Sequence, residues 1–304
     1  MRRKGESGEF DKNPVGFIKA FVKNVVEKSP ENRLFTVDNS PIFDAPLVGI
    51  ADGDDPLFDE YKNKIIGPFH MTPREILEKS SSLSNLADTK EISVICWVLP
   101  ITKRTRASNA QRDTWPSLRW AHTRAYGEQF NDSLRHELVS LLTSLGYLAV
   151  APVLSPQWER FHNFPGGPVS KWSERHALYA AGLGTFGLCD GFITPKGKAM
   201  RCGSVVVNLR LPVTPRPYGA HTDNCLFYSD KTCGICIDRC PAGAITMRGH
   251  NRNLCLSYMS SHIGHIKARY AADPSGCGLC QTGVPCESRI PPGALGSRHQ
   301  NASE

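Results

Sequence analysis

The sequence predicts an α/β (α+β) domain followed by a small cysteine-rich module. Strand patterns alternate with helix patterns between about residues 90 and 210. Eight of the 11 cysteines fall between Cys225 and Cys286. After Pro212, proline and glycine become frequent and the strand patterns weaken. We therefore expect a helical or α+β N-terminal extension (1–90), an α/β domain (91–212), a cysteine module (213–290) and a mobile tail (291–304).

Composition excludes several classes of protein. Of the 304 residues, 40% are hydrophobic and 21% are charged, which is enough apolar material for a core. The apolar runs are much shorter than a membrane span needs, so we expect no membrane association. Arg2 and Arg3 precede a polar stretch rather than an apolar one, which argues against a twin-arginine export signal. Clustered cysteines without such a signal predict a reducing, cytoplasmic location.

The N-terminal third contains three recognisable elements. Gly16–Lys28 has apolar residues at helical spacing, and 46–58 has the pattern of a short strand and an acidic turn. Thr72 is a candidate helix cap, because Pro73 takes the first helical position and Glu75 completes a capping box.

The elements of the α/β region are predicted from the same hydrophobic patterns. Short runs of apolar residues predict strands, longer runs at helical spacing predict helices, and Gly146 is a natural helix stop. The expected strands are Ser93–Leu99, Tyr147–Leu154 and Ser204–Leu209, and the expected helices are Trp115–Leu145 and Trp172–Ala181.

The strongest motif is C-x2-C-x3-C-P, formed by Cys233, Cys236 and Cys240 followed by Pro241. Two-cluster bacterial ferredoxins use C-x2-C-x2-C-x3-C-P, in which the fourth cysteine ligates the other cluster. The first cysteine of that pattern is replaced here by Asp230. Either Cys225 completes the first cluster, which we favour on the total of eight cysteines, or Asp230 ligates, or the site holds a three-iron cluster.

Eight thiols suffice for two 4Fe-4S clusters. By the usual cross-over, the first cluster takes Cys225, Cys233, Cys236 and Cys286, and the second takes Cys240, Cys255, Cys277 and Cys280. Structural zinc is the alternative, but zinc ribbons do not need the asymmetric C-x3-C-P spacing. Each cluster with its thiolates carries a net charge of about −2, so two lower the formal +7 to about +3. Cys96, Cys189 and Cys202 are expected to lie outside the ligand set.

A polar segment lies between the α/β strands. Arg175 and Tyr179 are one turn apart on a helix, and Gly182 and Gly184 then break that helix and allow close approach of a bulky ligand. A basic loop follows, with Lys196, Lys198 and Arg201.

Three segments resemble the superfamily of epoxyqueuosine reductases and reductive dehalogenases. They are 173–184, the segment from Phe192 through the basic loop and the next strand, and the cysteine set with Cys255 in its Leu-Cys-Leu-Ser-Tyr context. The resemblance implies a nitroreductase-like domain that holds base-off cobalamin, beside a ferredoxin-like module with two 4Fe-4S clusters. It also implies a cofactor-binding role for Arg175, Gly182, Gly184, Lys196 and Arg201.

The proton donor is less well defined. Epoxyqueuosine reductases resemble one another in an aspartate shortly before the Glu-Arg pair, but Phe164–Trp172 contains no acidic residue, which puts a tRNA substrate in doubt. The candidates here are Tyr179, His176 and Lys198. Tyr179 is preferred because the charge of Arg175 would lower its pKa, although a packing role for Tyr179 is equally open. His176 is expected to titrate nearer neutrality.

Two functional hypotheses follow. The first is a cobalamin-dependent iron–sulfur reductase that takes electrons from an external donor such as a flavodoxin or ferredoxin and acts on a small or RNA-borne substrate. The second is an electron-transfer or corrinoid-reducing protein without substrate chemistry of its own.

Overall fold

The computed structural model describes residues 4–80 and 91–297, and these form a mixed helix and strand structure, as predicted. The helices are α1 (Lys4–Lys12), α2 (Pro14–Lys28), α3 (Leu57–Glu60), α4 (Pro73–Ser80), α5 (Lys103–Ala110), α6 (Leu118–Ser144), α7 (Glu174–Ala180), α8 (Leu226–Asp230), α9 (Ile235–Asp238) and α10 (Arg252–Tyr270). The strands are β1 (Leu47–Asp52), β2 (Ser93–Pro100), β3 (Ala149–Val150), β4 (Arg160–Phe161), β5 (Val169–Ser170), β6 (Thr185–Phe186), β7 (Phe192–Ile193), β8 (Met200–Val207), β9 (Ile245–Thr246) and β10 (Gly249–His250).

A four-stranded sheet in the order β1-β2-β8-β3 organises the first two-thirds of the chain. Each neighbouring pair is antiparallel. Every residue of β2 is buried, because alternate side chains enter apolar clusters on opposite faces of the sheet. Ile95 and Trp97 pack with α2 and α6, whereas Val94 and Cys96 pack with α4 and α7.

Part of the segment before position 90 belongs to this sheet. Strand β1 pairs along its length with β2, from Leu47 opposite Val98 to Asp52 opposite Ser93. The boundary predicted at residue 90 lies outside the described residues, as do Arg2 and Arg3. One apolar cluster nevertheless joins residues from both sides of that boundary, so the two segments share a core.

Several element ends obey local rules. Ser117 caps α6 by accepting a hydrogen bond from the Trp120 amide at 3.2 Å. The capping box at α4 is present, with reciprocal bonds between Thr72 and Glu75 of 2.9 and 3.3 Å. The strand expected over Tyr147–Leu154 is wrong in length, because only Ala149–Val150 pairs and a 3-10 turn begins at Pro152.

The cysteine module has its own apolar cluster, formed with residues of the β6–β7 hairpin. Ala294 is fully buried within it, so part of the segment after residue 290 packs against the module. The rest of the tail, from residue 298, lies outside the described residues. No helix among the described residues is long and apolar enough to cross a membrane.

Candidate functional site

A buried group of thiols lies where the cysteine module meets the sheet. Cys225, Cys236 and Cys286 occupy one apolar cluster together with Cys189. Cys225 immediately precedes α8 and Cys236 lies within α9. The backbone of Cys286 accepts a hydrogen bond from the Lys198 amide at 2.9 Å, which ties the end of the cysteine module to the loop before β8.

Lys198 is the charged member of this neighbourhood. Its side chain is almost inaccessible, with 3% of the residue exposed, and Nζ lies 3.2 Å from Cys189 Sγ. Hydrogen bonds with Cys236 and Cys280, together with the charge of Lys198, hold the pKa of Cys189 well below its usual range. The structure therefore places Lys198 among thiols, not beside an open cleft where a proton donor would meet a substrate.

A second group of thiols lies close by. Burial, the largest cause, raises the pKa of Cys277 to about 11. The charges of Cys240 and Cys255 raise it further, so these thiols lie near Cys277. Cys280 lies between the two groups, because both Cys189 and Cys277 raise the pKa of its thiol. In the ranges 4–80 and 91–297, no three His, Cys, Asp or Glu side chains converge as a single metal ion would require.

A half-buried histidine adjoins the second group. His250 Nδ1 lies 3.1 Å from Asp190 Oδ2, and Asp190 adopts a left-handed backbone with φ of 56°. Burial lowers the pKa of His250, but hydrogen bonds with Asp190 and Cys255 outweigh it and raise the pKa to about 9. The Arg175 guanidinium donates to the backbone carbonyl of Asp190, so Arg175 is already engaged by this loop.

The loop that carries Cys277 and Cys280 is fastened to α5 and α6. Asn109 Nδ2 donates to the carbonyl of Cys277 and to Thr282 Oγ1, both at 3.1 Å. Trp120 Nε1 donates to the carbonyl of Gly276 at 3.2 Å. These bonds explain why a long helix of the sheet domain is needed to position cysteines that are distant in sequence.

The structure groups the eight predicted ligands unevenly. Three members of the first set are buried together, but Cys233 is half-buried and does not belong to their apolar cluster. Cys189 occupies that cluster instead, although the sequence placed it outside the ligand set. No spacing motif could have revealed this, because only the pairing of β6 with β7 and the docking of the module bring Cys189 to the other thiols.

The carboxylate of Asp230, the alternative cluster ligand, is engaged by the chain itself. Asp230 Oδ1 accepts hydrogen bonds from the amide and hydroxyl of Thr232 at 2.9 and 2.6 Å, so its carboxylate stabilises a turn. Cys225 is 8% exposed and lies in the thiol cluster. These contacts favour Cys225 over Asp230 as the remaining ligand.

The other predicted proton donors differ from expectation. Burial lowers the pKa of His176 to about 3, so this histidine is neutral and does not titrate near neutrality. Burial also raises the pKa of Tyr179, and the cation over its ring is Arg216, at 5.6 Å, not Arg175. The expectation that Arg175 makes Tyr179 more acidic is therefore wrong.

The two glycines are explained by the chain's own packing. A Cβ on Gly182, whose φ is +69°, would lie 2.3 Å from the carbonyl of Pro215. A Cβ on Gly184 would lie 2.3 Å from the carbonyl of Ile193. Both glycines permit a close approach, but the approaching group is backbone and not a ligand.

The basic residues that were predicted to bind a cofactor differ in their surroundings. Lys196 is exposed, whereas Arg201 is partly buried and forms an ion pair with Glu128. The Nε atoms of Arg201 and Arg124 are buried and have no hydrogen-bond partner among the described residues. Burial lowers the pKa of Arg201 to about 9 and that of Arg124 to about 10. Arg124 is also influenced by Cys277, so this pair lies between the sheet and the second thiol group.

Comparison with known proteins gives one significant sequence relative. No family model matches the chain. A segment is 31% identical over 119 residues to the epoxyqueuosine reductase of Staphylococcus aureus, and the match covers 37% of this chain and 29% of that protein. This segment is similar to part of an epoxyqueuosine reductase. The aligned part thus spans under a third of the length of its curated relative.

Three solved epoxyqueuosine reductase structures also overlap with parts of the fold. A selenomethionine-labelled enzyme is 18% identical, with a TM-score of 0.41, over 79% of this chain and 61% of its own. The Bacillus subtilis enzyme, with its catalytic aspartate loop swung out of the active site, is 17% identical, with a TM-score of 0.39, over 83% and 65%. An enzyme with an epoxyqueuosine-modified tRNA-Tyr stem loop is 17% identical, with a TM-score of 0.41, over 91% and 69%.

Proposed function

We propose that this chain is an iron–sulfur reductase of the epoxyqueuosine reductase type, with two 4Fe-4S clusters and a bound cobalamin. The observation that carries the proposal is the arrangement of thiols in two adjacent neighbourhoods, one around Cys236 and one around Cys277. The sequence match to an epoxyqueuosine reductase supports the same chemistry. A mixed helix and strand domain with a cysteine module then combines a binding domain with its own supply of electrons.

The cysteines would hold the clusters in two sets. The first would be ligated by Cys225, Cys233, Cys236 and Cys286, and the second by Cys240, Cys255, Cys277 and Cys280. When bound, such clusters supply one-electron transfer. The chain's own contribution is to bury the first set and to fasten the second set to α5 and α6.

Cobalamin, when bound, would supply a cobalt centre for reduction of the substrate. Its polar periphery, which includes a phosphate, fits the unpartnered guanidinium nitrogens of Arg124 and Arg201. Arg175 and Lys196, both exposed, are further candidates to hold the cofactor, as the sequence resemblance implies. The chain would orient the cofactor through these cations and exclude water from the second thiol group.

The substrate and partners are proposed only by class. An external one-electron donor such as a flavodoxin or ferredoxin fits the cluster chemistry. A small molecule is the favoured substrate, because 164–172 lacks the acidic residue that the relatives place there. An RNA-borne substrate is the second possibility, since one structural neighbour contains a tRNA stem loop.

Tyr179 remains the proposed proton donor from the sequence, although burial raises the pKa of its phenol and so makes it a weaker acid. Tyr179→Phe keeps the ring, and it should lower turnover by a factor on the order of 10²–10⁴ while iron content stays the same. Unchanged turnover would assign Tyr179 to packing.

The deciding experiment is anaerobic purification followed by iron, sulfide and visible-spectrum analysis with and without added cobalamin. We expect about eight irons and eight sulfides per chain, and a cobalamin spectrum that changes on binding. Zinc without sulfide would refute the cluster assignment. Clusters without cobalamin binding would favour the second candidate, an electron-transfer protein.

A further inference from the structure

Lys198 is a buried cation whose surroundings consist of sulfur. Only 3% of the residue is exposed, and its Nζ lies 3.2 Å from Cys189 Sγ. Apart from burial, the largest influences on the pKa of Lys198 come from four cysteines, which raise it: Cys189, Cys286, Cys280 and Cys236. A buried ammonium group costs several kcal/mol unless an anion is close. The Cys189 thiol is the group nearest the ammonium, and Cys236 and Cys286 of the first ligand set also lie close enough to influence its charge.

The backbone fixes Lys198 in this position. The Lys198 amide donates to the carbonyl of Cys286 at 2.9 Å, and Thr194 Oγ1 donates to the carbonyl of Gly197 at 2.9 Å. Gly197 has a φ of +79°, and a Cβ there would lie 2.3 Å from the backbone of Glu287 and Ser288. The turn before β8 is thus pressed against the segment that carries Cys286, which fixes the backbone from which the buried Lys198 side chain extends.

We propose that Lys198 is the fixed counter-charge of the cluster assigned to Cys225, Cys233, Cys236 and Cys286, and that it raises the reduction potential of that cluster. This inference rests on the proposed function, because it needs a cluster in the first thiol group. A 4Fe-4S cluster with four thiolates becomes more negative by one charge when it is reduced. A fixed positive charge in a buried site stabilises the more negative state, so reduction becomes easier.

The test is a redox titration of anaerobically purified protein, followed by electron paramagnetic resonance. Lys198→Met keeps most of the side-chain volume and removes the charge. We expect full iron content and about a tenfold lower ratio of reduced to oxidised first cluster at a fixed solution potential, equivalent to ~59 mV for one electron. Lys198→Arg keeps the charge and should retain most of the wild-type ratio, while Lys198→Gln should behave like Lys198→Met.

Lys231→Met is the matched control. Lys231 lies between Cys225 and Cys233 in the sequence but is exposed to solvent, so its charge is screened. It should leave both clusters at the wild-type ratio. In every Lys198 variant the second cluster should shift less than the first, because Cys280 is the one member of its ligand set that influences the charge of Lys198.

The outcomes distinguish a failure of the proposed function from a failure of the role of Lys198. Wild-type protein without iron and sulfide refutes the proposed function itself. Wild-type clusters with an unchanged ratio in Lys198→Met refute only the role of Lys198. Loss of about four irons in both Lys198→Met and Lys198→Gln also overturns the proposal, because it makes the lysine an assembly requirement and not a determinant of potential.

Discussion

Arg135 and Glu174 form a buried ion pair, with the guanidinium of α6 donating to the carboxylate at the first residue of α7 over 3.1 Å. The Arg135 side chain is 2% exposed and also pairs with Asp132 at 2.6 Å. Glu174 accepts a further hydrogen bond from Ser204 of β8. Glu174 belongs to the Ser-Glu-Arg segment that resembles the epoxyqueuosine reductases, so this half of the motif joins α6, α7 and the sheet, whereas Arg175 turns towards Asp190.

Removing Arg135 should therefore destabilise the protein strongly. Arg135→Met leaves the Glu174 carboxylate buried without its cation, and we expect the free energy of unfolding to fall by about 3–5 kcal/mol. Urea unfolding monitored by circular dichroism measures this change. The exposed Arg160→Met is the control and should have little effect.

The double variant Arg135→Met/Glu174→Gln tests the mechanism. It removes the unpaired charge and should recover part of the lost free energy. If the double variant loses as much as the sum of the single variants, the two side chains do not act as a pair.

Gly278 allows the second cysteine loop to sit on α6. Its φ is +66°, and an added Cβ would lie 1.9 Å from the Trp120 ring. Gly278→Ala should displace Cys277 and Cys280 together, and we expect about four of eight irons to be lost. Gly276→Ala is the control, because a Cβ there meets its nearest atom, on Arg124, at 4.0 Å. Equal iron contents in the two variants would contradict this role of Gly278.

Features of the fold that depend on neighbouring residues were predicted from the sequence, whereas features that depend on residues far apart in the chain were missed. The capping box at Thr72 and the stop of the long helix at Gly146, with φ of +95°, are set by neighbouring residues and were predicted well. The place of Leu47–Asp52 in the sheet was missed, because strand pairing joins residues that are far apart in the chain.

In the candidate site, too, the sequence predicted local features and missed long-range contacts. The close spacing of Cys236 and Cys240 was informative by itself, since a short turn fixes the distance between neighbouring thiols. The position of Cys189 and the burial of Lys198 depend on how the module docks against the sheet. The direction of the Tyr179 pKa was mispredicted because burial, which helical spacing does not reveal, raises it more than the charge of Arg216 lowers it.

Cys189 is the strongest test of the ligand assignment. Because eight other cysteines suffice for two clusters, Cys189→Ser should retain about eight irons, whereas Cys233→Ser should lose about four. Iron and sulfide analysis after anaerobic purification distinguishes them, with Cys96→Ser as a buried control that is expected to keep all its iron. The reverse result would make Cys189 the ligand in place of Cys233, as its membership of the buried cluster would then require.

Acid should destabilise the protein through His70. This residue is 1% exposed, its ring stacks on Trp172, and its Nε2 accepts a hydrogen bond from the Ser173 amide at 3.2 Å. Burial lowers the pKa of His70 from 6.5 to about 4, so the folded protein holds it neutral. As the pH falls below about 6.5, the unfolded chain takes up a proton that the folded chain refuses until about pH 4. The stabilisation is thus complete above that window and is lost across it, by roughly 3 kcal/mol for this one group.

The measurement is the free energy of unfolding between pH 7 and pH 4.5 for wild type, His70→Gln and His162→Gln. Glutamine retains an acceptor near the position of Nε2 but does not titrate in this range, so His70→Gln should show a shallower loss of stability with acid. Part of the slope should remain, because His176 is also buried and its pKa is lowered in the same direction. His162 is exposed, and its replacement should leave the slope unchanged. If His70→Gln follows the wild-type curve in parallel, His70 is not the group that couples protonation to unfolding.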